Sequence, residues 1–575
     1  MIMRNLLILN TTRMGDLIQS TPLIGAFRKK YPEVRITLVV SSDFENFALR
    51  IPFIDDTLVF NLRQFNIRNR QGMLNSWVEV YRYLEEFLCA IKNRKYDGVF
   101  NLSHSKLSAM MLAYLKIPKV WGFFCNEIGE RMTFNPWLQY FGIEPFNRAF
   151  NPFNLADIYL RAGGFGEGGD KLSLNTYPED LAMAKKLLND EGIIDSDQLI
   201  AFQAGSSLVG RRWSASSFAR LGDLLCQKFN AKIALLGVEN ERNVADKILS
   251  LMENKDKVVN LAGKTGIPEL IGTLQRSSYL VTNDTGTMHL AAALDVPIVG
   301  LFFAHAHPIE TGPYGKGHLI FQAKISCAPC SYGVDCNDTV CVEKVNPDDV
   351  FRFISKHIEY GKWSVPSEQK KFDEINAYHS DFNVENFLEM RPLFKRPLIS
   401  EDIFRLAFRR MWCDSLSPQR PIDCNDTEVM AKMEEFLKNF YDLSNVQNVI
   451  NETNSKLSLF RQLAIWGAKG VQFAVRIQNV MKEESRCQED LGELSSKISE
   501  LDERINQFGM SHLEVRPIAD IFNKRKENLI GDDVVFLANE TIKYYLKLEY
   551  ESSRLLFILE YLCNTLSEEE SLCCL

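Results

Sequence analysis

At 575 residues the chain is longer than one hydrophobic core serves, and roughly 100–200 residues per domain predicts about three domains. With 46% hydrophobic and 24% charged residues it has the composition of an ordinary globular protein, neither disordered nor membrane-spanning. A formal net charge of −8 argues against nucleic acid as the main partner, because phosphate binding draws on clustered Lys and Arg.

The first apolar run, Leu6-Leu7-Ile8-Leu9, is far shorter than a signal-peptide core or a membrane span. The expected location is therefore the cytoplasm, or peripherally the inner face of the inner membrane. Asn5–Asn10 reads as a strand, and Asp16–Lys30 carries Leu17, Leu23, Ile24 and Phe27 at helical spacing. Tyr31-Pro32 ends that helix, and Arg35–Val40 is a second, β-branched-rich strand. Tyr96–Leu102 and Lys119–Gly122 read as further strands, with the amphipathic stretch Val78–Lys92 between. Strands alternating with helices imply a parallel sheet covered on both faces.

The run Gly163-Gly164-Phe165-Gly166-Glu167-Gly168-Gly169 suits a linker. The alternation then restarts. Leu199–Gln203, Ala231–Leu236, Tyr279–Thr282 and Ile298–Phe303 read as strands; Ser216–Lys228, Arg242–Met252 and Ile267–Arg276 read as helices. Two α/β units either side of a linker predict two Rossmann-like domains facing each other across a cleft. From about Trp363 the chain turns to long helical stretches with few strand signals. There Leu491, Leu494, Ile498, Leu501, Ile505 and Phe508 alternate spacings of three and four. Such a stripe either packs within a helical bundle or makes a dimerising coiled coil, which would be a route to self-association.

Arg13-Met14-Gly15-Asp16 falls where the first strand meets the first helix, the end at which open α/β sheets present ligands. Asp16 either caps the helix or points its carboxylate into the cleft as a catalyst. Asn283-Asp284-Thr285-Gly286-Thr287-Met288-His289 follows an apolar strand and opens a small-residue helix, whose exposed amides favour an anion such as a diphosphate. Asp284 would repel phosphate, so it suits sugar hydroxyls or the orientation of backbone amides. From periodicity alone His289 reads as a satisfied core histidine. Glu241 lies after Leu235-Leu236-Gly237, where a carboxylate can reach a nucleotide ribose, or is simply an exposed helix-start glutamate.

Arg13-Met14-Gly15-Asp16 with Ser20-Thr21-Pro22-Leu23, then Asp284-Thr285-Gly286 with His289-Leu290-Ala291-Ala292-Ala293, then Gly312-Pro313-Tyr314-Gly315, form an ordered set. It resembles glycosyltransferase family 9, the ADP-heptose lipopolysaccharide heptosyltransferases, over about residues 1–360. The resemblance implies a GT-B fold and an inverting enzyme whose chemistry needs no metal. The aspartate in the position of Asp16 would be the general base. A basic residue matching Arg211 would contact the donor phosphates, with Ser206 and Ser207 in the loop that supplies hydroxyl contacts and Asp284, Thr285, Gly286 and His289 on the donor side. Family members often carry Lys where this chain has Arg211, so Arg212 competes for the assignment.

The expected organisation is an acceptor-side Rossmann-like domain over 1–170, a nucleotide-sugar domain over 171–360, and a mostly α-helical extension over 361–575. The expected donor is ADP-heptose and the expected acceptor a lipopolysaccharide core. A protein acceptor of the autotransporter type is the alternative, and a non-catalytic scaffold with a sugar-nucleotide fold is a second.

The chain has thirteen cysteines. Cys89, Cys125 and Cys226 stand in apolar surroundings and are expected to be buried. Cys327, Cys330, Cys336 and Cys341 are spaced as Cys-x2-Cys-x5-Cys-x4-Cys, which can wrap one tetrahedral metal; the alternative is four thiols in a loop. The expectation is one structural zinc or iron ion. Iron enters because the iron-containing heptosyltransferases that modify autotransporter proteins carry a comparable cysteine finger.

Overall fold

The computed structural model describes residues 3–65, 73–126, 128–143, 147–166, 171–334, 336, 338–366, 372–417, 426–482 and 488–573. The expected glycine-rich linker therefore lies partly outside the described residues. The chain divides into two compact units, one formed by residues 1–131 with 154–393, the other by 132–153 with 394–575.

The first unit holds two sheets. One consists of β1 (Asn5–Leu9), β2 (Arg35–Ser41), β3 (Asp56–Phe60), β4 (Gly98–Asn101) and β5 (Lys119–Gly122), ordered β3-β2-β1-β4-β5 and parallel throughout. The second runs β6 (Leu199–Gln203), β7 (Lys232–Leu236), β8 (Val258–Asn260), β9 (Tyr279–Asn283), β10 (Ile298–Phe302), β11 (Leu319–Ala323), β12 (Ile375–Phe382) and β13 (Leu388–Pro392). Its order is β8-β7-β6-β9-β10-β11-β12-β13. The first six strands pair in parallel, and β12 and β13 join antiparallel at one edge. Strands β6, β9, β10 and β11 are buried at every position, the signature of sheets covered on both faces. This is the expected α/β, GT-B architecture of two parallel Rossmann-like sheets.

Two details depart from the sequence reading. The helix expected over Asp16–Lys30 is two, α1 (Met14–Gln19) and α2 (Thr21–Lys30). Pro22 has no N–H to give to the Ile18 carbonyl, and the Thr21 hydroxyl donates to it instead at 2.7 Å. The hairpin β12–β13 lies in a region with few strand signals. Only β13 alternates buried and half-buried residues, β12 takes its place by pairing with β11, and Asn386 turns the chain at φ 60°. Cys125 and Cys226 are buried as expected, but Cys89 is exposed. It sits on the outward side of the helix Met73–Asn93, whose inward side is taken by Phe87, Leu88 and Ile91.

The segments carrying the two sheets are tied together by a buried bidentate pair. Arg50 donates to the two carboxylate oxygens of Asp180 at 2.7 and 2.8 Å. Asn154 donates to the carbonyls of Ile309 and Gly312, and the Tyr314 hydroxyl donates to Asp157 at 2.8 Å.

The second unit is mostly helical, with long helices Ser400–Leu416, Gln447–Lys482, Gln488–Ser511 and Val534–Cys573 and the shorter Arg516–Lys526. The three-four stripe packs within the chain. Leu494 is buried with Ile477 and Ala538, joined by Leu491 and Ile498, and Phe508 meets Trp466 edge to face at 5.1 Å. That is the bundle arrangement rather than an exposed seam. At its centre Arg525 donates to both oxygens of Glu551 at 2.8 and 2.6 Å. No helix among the described residues is long and apolar enough to cross a membrane.

Candidate active site

The site is built where β1 ends, where β6 and β9 end, and where a third helix, α3 (Gly286–Ala293), begins. The loop after β1 and the start of α3 touch. A β-carbon on Gly15 would lie 2.9 Å from His289 Cδ2, and one on Gly286 would lie 2.9 Å from Met14 Cε and 3.5 Å from the Gly15 nitrogen. Glycine at both positions is what lets the two backbones come this close. Asp16, half-buried in the first turn of α1, accepts from the Arg13 amide at 3.3 Å. It therefore caps its helix, and it also sits near enough to His289 to act on it electrostatically. The two readings of Asp16 left open by the sequence are compatible.

His289 is buried, and its Nδ1 has no hydrogen-bond partner. Burial pushes its pKa down; Asp284 and Asp16 pull the other way, and Arg211 adds to the lowering. It is not a satisfied core histidine. The charged groups that act on its ring are Asp284, Asp16 and Arg211.

Arg211 ends a short turn, Val209–Arg211, and reaches across to β9's end. Its Nη2 donates at 2.9 Å to the Asp284 carbonyl and also pairs with the Asp284 carboxylate, which accepts from the Thr311 hydroxyl at 3.2 Å. Arg211 Nε is buried and without a partner. Arg212 points elsewhere, donating from Nε to the Ser206 carbonyl at 2.8 Å. Ser206 is buried with an unpartnered hydroxyl, whereas Ser207 is exposed. Buried polar atoms without partners are rare and call for a ligand or another explanation. Here they fall on Ser206, Arg211 and His289, all from the donor-side set.

Thr285 is the extended residue before α3, and its hydroxyl lies 3.3 Å from that of Thr282. Glu241 is half-buried rather than exposed, and it lies over Gly205: a β-carbon there would meet its carboxyl carbon at 2.0 Å. Its Oε2 accepts from Gln203 Nε2 at 3.0 Å and from the Val238 amide at 3.1 Å.

Three residues that tie this region together escaped the sequence reading. Gln203 bridges Glu241 and Thr287. Asn283, fully buried, accepts from the Trp213 amide at 3.0 Å and donates to the Ala204 carbonyl at 2.8 Å, clipping two loops to β9. Thr311 holds Asp284. The signal for the first two was present: each is a polar residue closing an otherwise apolar strand, LIAFQ and YLVTN.

The four-cysteine segment backs this region. A β-carbon on Gly210 would touch Thr339 Cγ2 and Ala304 Cβ at 3.8 and 3.9 Å, and Trp213 Nε1 donates to the Val345 carbonyl at 2.9 Å. Burial raises the Cys330 thiol pKa, and Cys327, Cys341 and Cys336 raise it further, so the four sulfurs share one neighbourhood. Cys336 is exposed and donates to the Asp338 carbonyl at 2.9 Å. Among the described residues no group of three or more His, Cys, Asp or Glu side chains is disposed to hold a metal ion.

A family model described as glycosyltransferase family 9 (heptosyltransferase) matches residues 166–340. Lipooligosaccharide heptosyltransferase 2 of Haemophilus influenzae is 31% identical over 312 residues, which cover 52% of this chain and 83% of that protein. Lipopolysaccharide heptosyltransferase 1 of Pseudomonas aeruginosa is 23% identical over 330 residues, 56% of this chain and 85% of that one. Among solved structures, the Escherichia coli ADP-heptose lipopolysaccharide heptosyltransferase II aligns with 17% identity and a TM-score of 0.46, over 62% of this chain and 99% of that one.

Proposed function

We propose that this chain, which belongs to glycosyltransferase family 9, the heptosyltransferases, moves a heptose from ADP-heptose to a sugar hydroxyl of a lipopolysaccharide core, with inversion at the anomeric carbon. The observation that carries the reading is the close approach of the turn holding Gly15 and Asp16 to His289 near the start of α3, which begins two residues after the Asp284 that pairs with Arg211. A carboxylate, a cation and a helix N-terminus then serve one site, which suits an inverting transfer.

The acceptor hydroxyl gives its proton to the Asp16 carboxylate as its oxygen forms the bond to the anomeric carbon. The bond from that carbon to the β-phosphate oxygen breaks on the opposite face, and ADP leaves with the electron pair. Charge growing on the diphosphate is met by Arg211 and by the amides that open α3, groups already in place before reaction. The Ser206 hydroxyl adds a donor from the loop after β6, and Ser207 stands beside it at the open side. Thr285 and Gly286 supply backbone at the phosphates, and Asp284 holds Arg211 in position. Glu241 faces the ribose. Residues around 1–170 carry the acceptor side and those around 171–360 the nucleotide sugar.

We assign to Cys327, Cys330, Cys336 and Cys341 one structural metal, zinc or iron. Their Cys-x2-Cys-x5-Cys-x4-Cys spacing supports this, together with the nearness of Cys327, Cys341 and Cys336 to the Cys330 thiol. The same cysteines favour a second reading of the acceptor, a protein hydroxyl, with the donor chemistry unchanged. Incubation with ADP-heptose and either a heptose-deficient core oligosaccharide or a candidate protein, read by mass spectrometry, separates the two. Failure to modify either would overturn the functional reading.

A further inference from the structure

We propose that Gln203 is a positioning residue of the donor site, one that fixes which oxygen the Glu241 carboxylate offers to the nucleotide ribose and couples that contact to the first turn of α3. The proposal rests on the reading of Glu241 as the ribose contact.

Gln203 closes the apolar strand β6 and is 4% exposed. An amide so buried is costly unless both its ends are hydrogen-bonded. Both are: Nε2 donates to Glu241 Oε2 at 3.0 Å, and Oε1 accepts from the Thr287 hydroxyl at 3.3 Å. The orientation follows from chemistry. A carboxylate only accepts, so the amide nitrogen must face Glu241, and the amide carbonyl is thereby turned to the Thr287 hydroxyl.

The consequence for Glu241 is specific. Oε2 is held by two donors, Gln203 Nε2 and the Val238 amide. The carboxyl group lies directly over Gly205, where no β-carbon obstructs it. Oε1 is then the oxygen presented to a ligand, with its direction set before the ligand arrives. Thr287 lies one residue beyond Gly286 in α3, so one side chain links the ribose contact to the helix that faces the diphosphate. Without Gln203, Glu241 retains the Val238 bond and can rotate about it.

The test is calorimetric binding of ADP, 2′-deoxy-ADP and 3′-deoxy-ADP to the full chain, for wild type and for Gln203→Met, Thr287→Val and Glu241→Gln. Wild type should prefer ADP over at least one deoxy analogue. Gln203→Met should lower that preference by about tenfold, the worth of one hydrogen bond to a charged group, with a melting temperature that stays cooperative. Thr287→Val should lower it less, and serves in place of Gln203→Met if that variant does not fold. A preference kept in both variants but lost in Glu241→Gln would overturn the role of Gln203 while leaving the ribose contact standing. A preference unchanged in Glu241→Gln would overturn the ribose contact itself, and this proposal with it.

Discussion

Arg211 donates from Nη2 to the backbone carbonyl of Asp284 at 2.9 Å and ion-pairs with the carboxylate of the same residue. Both side chains are largely buried, so each answers for the other's charge, and Arg211 Nε is buried without a partner. Removing one partner of a buried pair costs about 3–5 kcal/mol because it strands the other. Arg211→Ala is therefore expected to lower both the melting temperature and the affinity for ADP, and to flatten the dependence of binding on salt. The double variant Arg211→Ala/Asp284→Asn should recover much of the stability and none of the affinity. Arg212→Ala, whose guanidinium is engaged by the Ser206 carbonyl, should weaken ADP binding less. Scanning calorimetry and titration calorimetry on the four proteins check this, and the reverse order of the two arginines would give the phosphate contact to Arg212.

Gly15→Ala places a methyl group 2.9 Å from the buried His289 ring, closer than carbon atoms tolerate. Overpacking of this kind costs about 1–3 kcal/mol, and here it pushes Asp16 away from α3. The expected result is a fall in turnover of tenfold or more at saturating donor. Steady-state kinetics with an unchanged rate would show that the close approach of these two backbones is not needed for the reaction.

Much of this site was legible in the sequence, for a physical reason. Ligands sit at the carboxyl ends of parallel strands, and the strands are apolar runs that end visibly, so Asp16 and Asp284 could be placed on the loops after β1 and β9, whereas Arg211 was picked out only by the family resemblance. What could not be read was pairing across the chain. That Arg211 meets Asp284 depends on the separation of β6 from β9, and that Gly15 meets His289 depends on how the segments carrying the two sheets are joined, through Arg50 and Asp180 among others. The edge hairpin β12–β13 was missed because β12 takes its place only by pairing with β11. Cys89 was misjudged because the apolar neighbours Phe87 and Leu88 point the other way on their helix.

His318, buried, and His104, half-buried, set an acid limit on the first unit. Burial pushes the pKa of His104 down to about 3 and that of His318 down to about 4. In the unfolded chain both titrate near 6.5, so between there and the folded values the unfolded state binds more protons. Stability is then fully present above about pH 6.5 and is lost as pH falls toward 4, by at most about 1.4 kcal/mol per pH unit for each histidine. Melting temperatures of His318→Gln should fall less steeply over this window than those of wild type. Parallel curves would mean that His318 is not held neutral by the fold.

If the four cysteines hold a metal, elemental analysis of the native protein should find one zinc or iron per chain, and chelation should release it with loss of cooperative unfolding. Cys336→Ser should lower thermal stability more than it changes the rate at low temperature. The hydrogen bond from Trp213 to the Val345 carbonyl predicts that whatever rate effect remains appears first as weaker donor binding. Metal-free protein with four reactive thiols at Cys327, Cys330, Cys336 and Cys341 would end this assignment.

In the proposed reaction Asp16 removes a proton from an acceptor while the donor-side cluster releases ADP. The most direct measurement is transfer by the purified chain from ADP-heptose to heptose-deficient core oligosaccharide, with product mass and anomeric configuration recorded for wild type and Asp16→Asn, and ADP affinity measured for both. The expected result is one heptosyl group added with inverted configuration, a turnover about 10²–10⁴-fold lower in Asp16→Asn, and nearly equal ADP affinity in the two proteins. Retained configuration, or wild-type turnover in Asp16→Asn, would contradict it.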